Sequence, residues 1–240
     1  MATFNARKSL EEASADPSWR DLYRAGSISA ILYIVLIIVP LVLLFVAPLP
    51  PATGGVAILD YIAAHKAIYI IELVTFVGLG IPAIIVFLAI SVALKQVNKS
   101  YAAVGGLLAI ASEVAAIAYN SSPQSLSSSL ILLSDHSLAA TGDAQRLALA
   151  TAAEGLLAMA NAVGGAGILT ALGILILSLL MLKGVFPKSV ALVGILTGAF
   201  GIVSEALRPL MGMVYSLYGL LLLIWFLQVG WSLHRLGPHR

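Results

Sequence analysis

Cysteine is absent from the chain, which removes disulfide frameworks and thiolate metal sites but says nothing of location. Charge is scarce. Only 10% of residues are Asp, Glu, Lys or Arg, against roughly a quarter in ordinary soluble domains. No lysine falls inside a long apolar run, so a retinal Schiff base of the usual kind is excluded. No histidine falls inside one either, and neither H-x-x-x-H nor H-E-x-x-H spacing occurs. The Lys and Arg are scattered rather than gathered into a basic nucleic-acid stripe.

What is abundant is uninterrupted apolar sequence. Apolar residues make up 60% of the 240 residues, in runs too long for a soluble core, and a run of about 20 crosses a roughly 30 Å hydrocarbon layer as helix. The spacing predicts an all-α membrane bundle of six transmembrane helices, over about 25–49, 67–94, 101–119, 161–182, 189–207 and 211–233. Residues 1–24 form a polar, mixed-charge segment in which Asp16-Pro17-Ser18 reads as a helix start. That segment and the longer apolar run behind it read as no cleaved signal peptide. Pro40 predicts a kink, Pro48-Leu-Pro-Pro51 a stop, 52–66 a loop, and Gly80-Ile-Pro82 a bend. Residues 120–160 predict a partly helical outer cap: a Ser-rich stretch, then a helix capped by Asp143. Gly164-Gly-Ala-Gly167 predicts a break before the fourth crossing.

Six crossings place both termini on one side, and the positive charges agree. Arg7, Lys8, Arg20, Arg24, Lys95, Lys99, Lys183, Lys188, Arg235 and Arg240 gather with the termini, whereas Lys66, Arg146 and Arg208 fall opposite. The positive-inside rule then makes the termini cytoplasmic, in a multi-pass protein of the plasma membrane. An internal echo links two basic turns. Leu94-Lys-Gln-Val-Asn-Lys-Ser-Tyr-Ala-Ala-Val-Gly105 resembles Leu182-Lys-Gly-Val-Phe-Pro-Lys-Ser-Val-Ala-Leu-Val-Gly194 with one residue inserted, as parallel repeats would. Similar composition alone is the simpler account.

Polar residues at membrane depth are costly, which makes them candidates. At about 1.5 Å per residue, Glu113 lies roughly 18 Å into its crossing and Glu205 roughly 25 Å into its own. An ionised acid at the bilayer centre costs about 2.5–3.5 kcal/mol on insertion scales, so Glu113 must be protonated, paired or facing water. Glu205 and Arg208 stand at helical i,i+3 spacing before Pro209. His65, Tyr69 and Glu72 follow i, i+4, i+7 spacing on one helical face. These six residues predict an outward-facing polar pocket with Glu113 as its floor and Arg208 as anion partner or gate. The plainer account is a network pinning helix ends, which Glu72 and Glu154 fit best.

Chemistry of other kinds finds little support. His65, His136 and the outer carboxylates could meet a metal only by chance of folding, so no metal and no cofactor are assigned. An intramembrane hydrolase needs a nucleophile, base or metal at depth, and no catalytic residue is assigned. Gly194, Gly198 and Gly201 form a small-residue face suited to helix packing or to a homo-oligomer contact.

Arg24-Ala-Gly-Ser-Ile-Ser-Ala-Ile-Leu-Tyr33, Gly184-Val-Phe-Pro-Lys-Ser-Val-Ala-Leu-Val-Gly-Ile-Leu-Thr-Gly198 and the Trp225 to Gly237 ending carry a resemblance. They resemble a prokaryotic six-span membrane family known as domain of unknown function 4386, over nearly the whole chain from about residue 24. The resemblance implies an integral membrane protein with no assigned activity and no catalytic residues to carry over. The sequence thus leads to a membrane protein binding or transporting a small solute or lipid. The alternative is a non-catalytic scaffold or sensor subunit acting through helix–helix contacts.

Overall fold

The structure is a computed structural model, and it describes residues 16–43, 45–118, 126–211 and 214–237. The described residues form an all-α bundle without a strand. Asp16 caps a 3-10 turn, Pro17–Trp19, by accepting from the Ser18 amide at 3.0 Å. Pro17 costs no helical bond there, because its missing N–H falls where the first turn has no partner anyway. Helix α1, Arg20–Leu43, follows directly. It begins earlier and ends earlier than the 25–49 crossing expected. The cap draws Arg20 to Arg24 into the helix, and i,i+3 bonds from Phe45 and Val46 tighten the chain at its end.

Helices α2, Gly55–Gly78, and α3, Gly80–Leu94, correct the reading of 52–66 as a loop. Asp60, His65 and Lys66 disguise helical periodicity there: Ile58, Leu59, Ile62, Tyr69 and Leu73 recur on a buried side while Asp60 and Lys66 stay exposed. The backbone leaves helical geometry once, at His65 (φ −128°, ψ 32°). A second break at Leu79 separates α2 from α3, next to Pro82, which cannot donate to Gly78.

Helix α4 spans Lys99–Ala118. Asn98 caps it, accepting from the Tyr101 amide at 3.0 Å. Helices α5, Ser128–Ala139, and α6, Asp143–Gly164, occupy the segment expected to be partly helical. The glycine-rich stretch interrupts the chain at 165–166, and α7 then runs Gly167–Met181. At 1.5 Å per residue these 15 residues span only about 22 Å, so α7 alone is shorter than the 161–182 crossing expected. Helix α8, Lys188–Ala206, the single turn α9, Arg208–Met211, and α10, Tyr215–Leu236, complete the order. Among the described residues, five helical stretches are long and apolar enough to cross a membrane: Pro17–Pro40, Gly55–Leu94, Lys99–Ala118, Lys188–Ala206 and Tyr215–Leu236.

The chain divides into two compact units. The first comprises residues 1–34, 81–113 and 167–240. Its centre is aromatic, with Tyr33 stacked on Phe226 at 3.9 Å between centroids and Phe87 edge-on to Phe226 at 5.8 Å. Its polarity is the reverse of a soluble domain. Ser112, Ser178, Thr197, Ser204 and Glu205 are buried while Ile28, Leu192, Leu196, Leu220 and Leu227 face outward. Hydrocarbon outside and polar groups inside fit an integral membrane protein.

Both hairpins that contain a basic turn pack a serine against a glycine. An ideal Cβ on Gly106 would lie 2.0 Å from Ser91 Oγ, and one on Gly194 would lie 2.0 Å from Ser178 Oγ. Each hairpin, α3–α4 and α7–α8, seats a serine of its first helix against a glycine of its second. The two pairs are one residue out of register with the echo, which sets Gly194 opposite Gly105 rather than Gly106. The Gly194, Gly198 and Gly201 face is filled within the chain by Ser178, Leu175 and Ala171 of α7 and by Trp225 and Tyr218 of α10. The stripe is therefore used, at least in part, for packing within the chain.

The second unit comprises residues 35–80 and 114–166. Here α2, α5 and α6 close over Ile58, Leu59, Ile62, Leu126, Leu130, Ala153 and Leu157. Gly55 permits the tightest approach, since a Cβ there would fall 1.8 Å from Ala150 O. Ser134 Oγ donates to Leu59 O at 2.9 Å, and Lys66 pairs with Asp135 at 2.6 Å.

Candidate functional site

The last turn of α8 carries Glu205 into the interior of the first unit, where it is 7% exposed. Its carboxylate accepts from Arg208 Nη2, and Tyr215 Oη donates to its Oε1 at 2.8 Å. The Arg208 guanidinium also lies over the Tyr215 ring, 5.2 Å from its centroid. Gly167 explains how the acid fits: a Cβ there would be 2.6 Å from the Glu205 carboxyl carbon. The carboxylate thus rests against the first residue of α7, where the helix dipole favours negative charge by about 0.3–1 kcal/mol. The break before α7 and the ion pair after α8 are parts of one arrangement.

Glu113, on α4, is bonded differently. Thr170, in the first turn of α7, donates its hydroxyl to Glu113 Oε1 at 3.2 Å. Among the described residues Glu113 has no cationic partner. Tyr33 and Tyr218 both lie within electrostatic range of it. Tyr218 is also within electrostatic range of Glu205, and its ring lies on α8 where a Cβ at Gly201 would be 2.5 Å away. Tyr215 packs edge-on to Tyr218 at 6.0 Å. Two carboxyl groups of the same unit therefore lie within electrostatic range of one tyrosine, and among the described residues Glu205 pairs with an arginine and Glu113 does not.

Of the six residues expected to form one pocket, Glu113, Glu205 and Arg208 belong to this unit, and His65, Tyr69 and Glu72 belong to the second. Within the second unit Tyr69 is fully buried and tied to Ser127, donating to its carbonyl at 3.2 Å and accepting from its amide at 2.9 Å. Glu72 is buried, and among the described residues its Oε2 has no hydrogen-bond partner. The non-helical backbone at His65 interrupts the ideal i, i+4, i+7 register. The His65 ring stacks on Tyr61 at 4.8 Å, and its Nδ1 lies 3.3 Å from Tyr61 O. Tyr69 thus fastens the segment before α5, a packing role.

Sequence reasoning missed Tyr33, Gly167, Thr170, Tyr215 and Tyr218. Tyr215 had a signal, standing ten residues beyond Glu205 where the chain turns back. Thr170 had none, for it reaches Glu113 only through tertiary packing. Among the described residues no three His, Cys, Asp or Glu side chains come together in a way that could hold a metal ion. Compared with protein-family models, with curated proteins and with solved structures, the chain gives no match.

Proposed function

We propose that the chain is a six-span plasma-membrane protein, termini cytoplasmic, that binds or transports a small solute or lipid at the cluster around Glu113. One observation carries this reading: Glu113 is an acid among apolar helices whose described partner is a neutral hydroxyl, Thr170. A carboxyl group so placed is suited to exchanging a proton or meeting a cationic group on a ligand, because among the described residues no arginine or lysine pairs with it beforehand. Glu205 and Arg208, by contrast, are hydrogen-bonded to each other and supply a charge-balanced element of the same cluster. Parting them would expose a guanidinium able to grip a carboxylate or phosphate in bidentate fashion, so the pair serves as the gate. The resemblance to domain of unknown function 4386 is consistent with a six-span protein and contributes no activity.

The test is proton-coupled flux through the full chain in sealed proteoliposomes with a trapped pH dye, challenged with small organic cations and carboxylates. The expected result is solute-dependent proton movement in the wild type that Glu113→Gln abolishes while helical content is unchanged. Proton movement that survives Glu113→Gln, or none with any solute in the wild type, contradicts the proposal. The runner-up is a non-catalytic scaffold or sensor subunit. The Gly194, Gly198 and Gly201 face is used, at least in part, for packing against α7 and α10.

A further inference from the structure

The topology of the first unit brings its basic residues to one end. Lys95, just past α3, bonds Asp16 at 2.7 Å and sits over the Trp19 ring at 5.1 Å, so the end of α3 meets the start of α1. A Cβ on Gly184 would lie 2.7 Å from Leu94 Cδ2 and 3.3 Å from Val97 Cγ2, which sets the α7–α8 turn beside the α3–α4 turn. A Cβ on Gly237 would lie 2.7 Å from Arg24 Cγ, which sets the end of α10 against the start of α1.

Around this end Arg20, Arg24, Lys99, Lys183, Lys188 and Arg235 are all exposed. None of them has an ion-pair partner among the described residues. Asp16 is committed to Lys95, which leaves Asp21 as the exposed acid among the described residues of this end. Large amphipathic rings share the rim: Trp19 is 42% exposed, Tyr101 60% and Trp231 61%. Arg235 lies over Trp231 at 5.3 Å, so a cation and an indole are presented together.

We infer that this end is a binding rim for the phosphate headgroups of anionic glycerophospholipids. Unpaired guanidinium and ammonium groups need counter-charge, and a negatively charged leaflet supplies it as a continuous surface. Guanidinium groups match phosphate oxygens in bidentate geometry. Indole and phenol rings settle at the same headgroup level, with their apolar bodies in the acyl boundary. The inference stands apart from any role for Glu113, because it uses no residue of that cluster.

The test uses the full chain in nanodiscs of equimolar phosphatidylcholine and phosphatidylglycerol, with the lipids retained on gentle release counted by native mass spectrometry. A nanodisc exposes both faces, so inverted insertion of a variant does not confuse the result. The expected outcome is several-fold enrichment of phosphatidylglycerol in the wild type. Replacement of Arg24, Lys99, Lys183, Lys188 and Arg235 by Gln is expected to bring it to near parity, and Lys66→Gln to leave it unchanged. Should the multiple variant fail to fold, the wild type alone decides: sodium chloride must erode the enrichment, as screening of exposed charge requires. No enrichment, enrichment that ignores salt, or enrichment that survives the multiple substitution overturns the inference. Inorganic phosphate displacing the lipid more than chloride at equal ionic strength would assign the rim to free phosphate and overturn it likewise.

Discussion

Glu205 and Arg208 show how little a buried charge pair reveals by itself. Their side chains are 4% and 16% exposed, and an interior pair of this kind often contributes little net stability, although removing one partner is costly. Glu205→Ala and Arg208→Ala are each expected to destabilise the protein by about 3–5 kcal/mol, because each strands a charge. The double variant should cost clearly less than the sum of the two. Thermal or denaturant unfolding in one detergent measures all three, and strict additivity would mean that the two side chains do not act as a pair. Both residues were legible in sequence as a charged interruption between apolar runs. Their partners were not: Gly167 precedes Glu205 by a whole hairpin, and nothing local marks a glycine that makes room for a distant carboxylate. Glu113 was legible through depth alone, whereas Thr170 became its partner only once α4 and α7 packed.

At the scale of elements, boundaries depended on whether charge lay on the outside of a helix or beyond its end. The start of α2 looked like a loop because Asp60, His65 and Lys66 are polar, yet Ile58, Leu59 and Ile62 before His65 and Tyr69 and Leu73 after it are all buried. The start of α1 was easier, since Asp16-Pro17-Ser18 is a local signal with local geometry. The Asp16 cap also gives α1 a pH dependence. The hydrogen bond from Lys95, with further bonds from Ser18, lowers the Asp16 carboxyl from 3.8 to about 2. A depressed folded-state value means that this stabilisation is fully present above about pH 4 and disappears as the pH falls through about 2. Hydrogen exchange should show amides at the start of α1 losing protection over that range, and Asp16→Asn should remove the dependence. An unchanged exchange profile in Asp16→Asn would mean that the cap does not hold the helix start.

The α7–α8 contact is an element-scale claim of the same kind. A Cβ on Gly198 would fall 2.7 Å from the Leu175 backbone nitrogen and 2.8 Å from Ala171 O. Backbone cannot swing aside as a long side chain can, so Gly198→Val is expected to cost at least about 1–3 kcal/mol of overpacking. A lowered unfolding midpoint measures it, and an unchanged midpoint would contradict the packing described. The glycine spacing was legible as a helix-packing face. Which helices it would meet was not, since a small-residue stripe reads the same whether its neighbour belongs to the same chain or another.

For the whole molecule, the composition led directly to an all-α bundle of apolar helices. The division of polar residues between two units did not follow from sequence, because spacing along a helix cannot say to which compact unit that helix belongs. Charge at the ends of the helices is the feature that links sequence, structure and both proposals. The turns at 95–99 and 183–188, the start of α1 and the end of α10 meet at one basic end, which under the proposed six crossings the positive-inside rule would make cytoplasmic. The absence of cysteine makes this directly measurable, since any single introduced thiol is unique. Single-cysteine variants at Gln96, Ser189, Ser137 and Gly142 should be treated in intact cells with a membrane-impermeant maleimide. The account predicts labelling at Ser137→Cys and Gly142→Cys, with Gln96→Cys and Ser189→Cys labelled only after permeabilisation. Labelling of Gln96→Cys or Ser189→Cys in intact cells would contradict the orientation on which the proposed function is built.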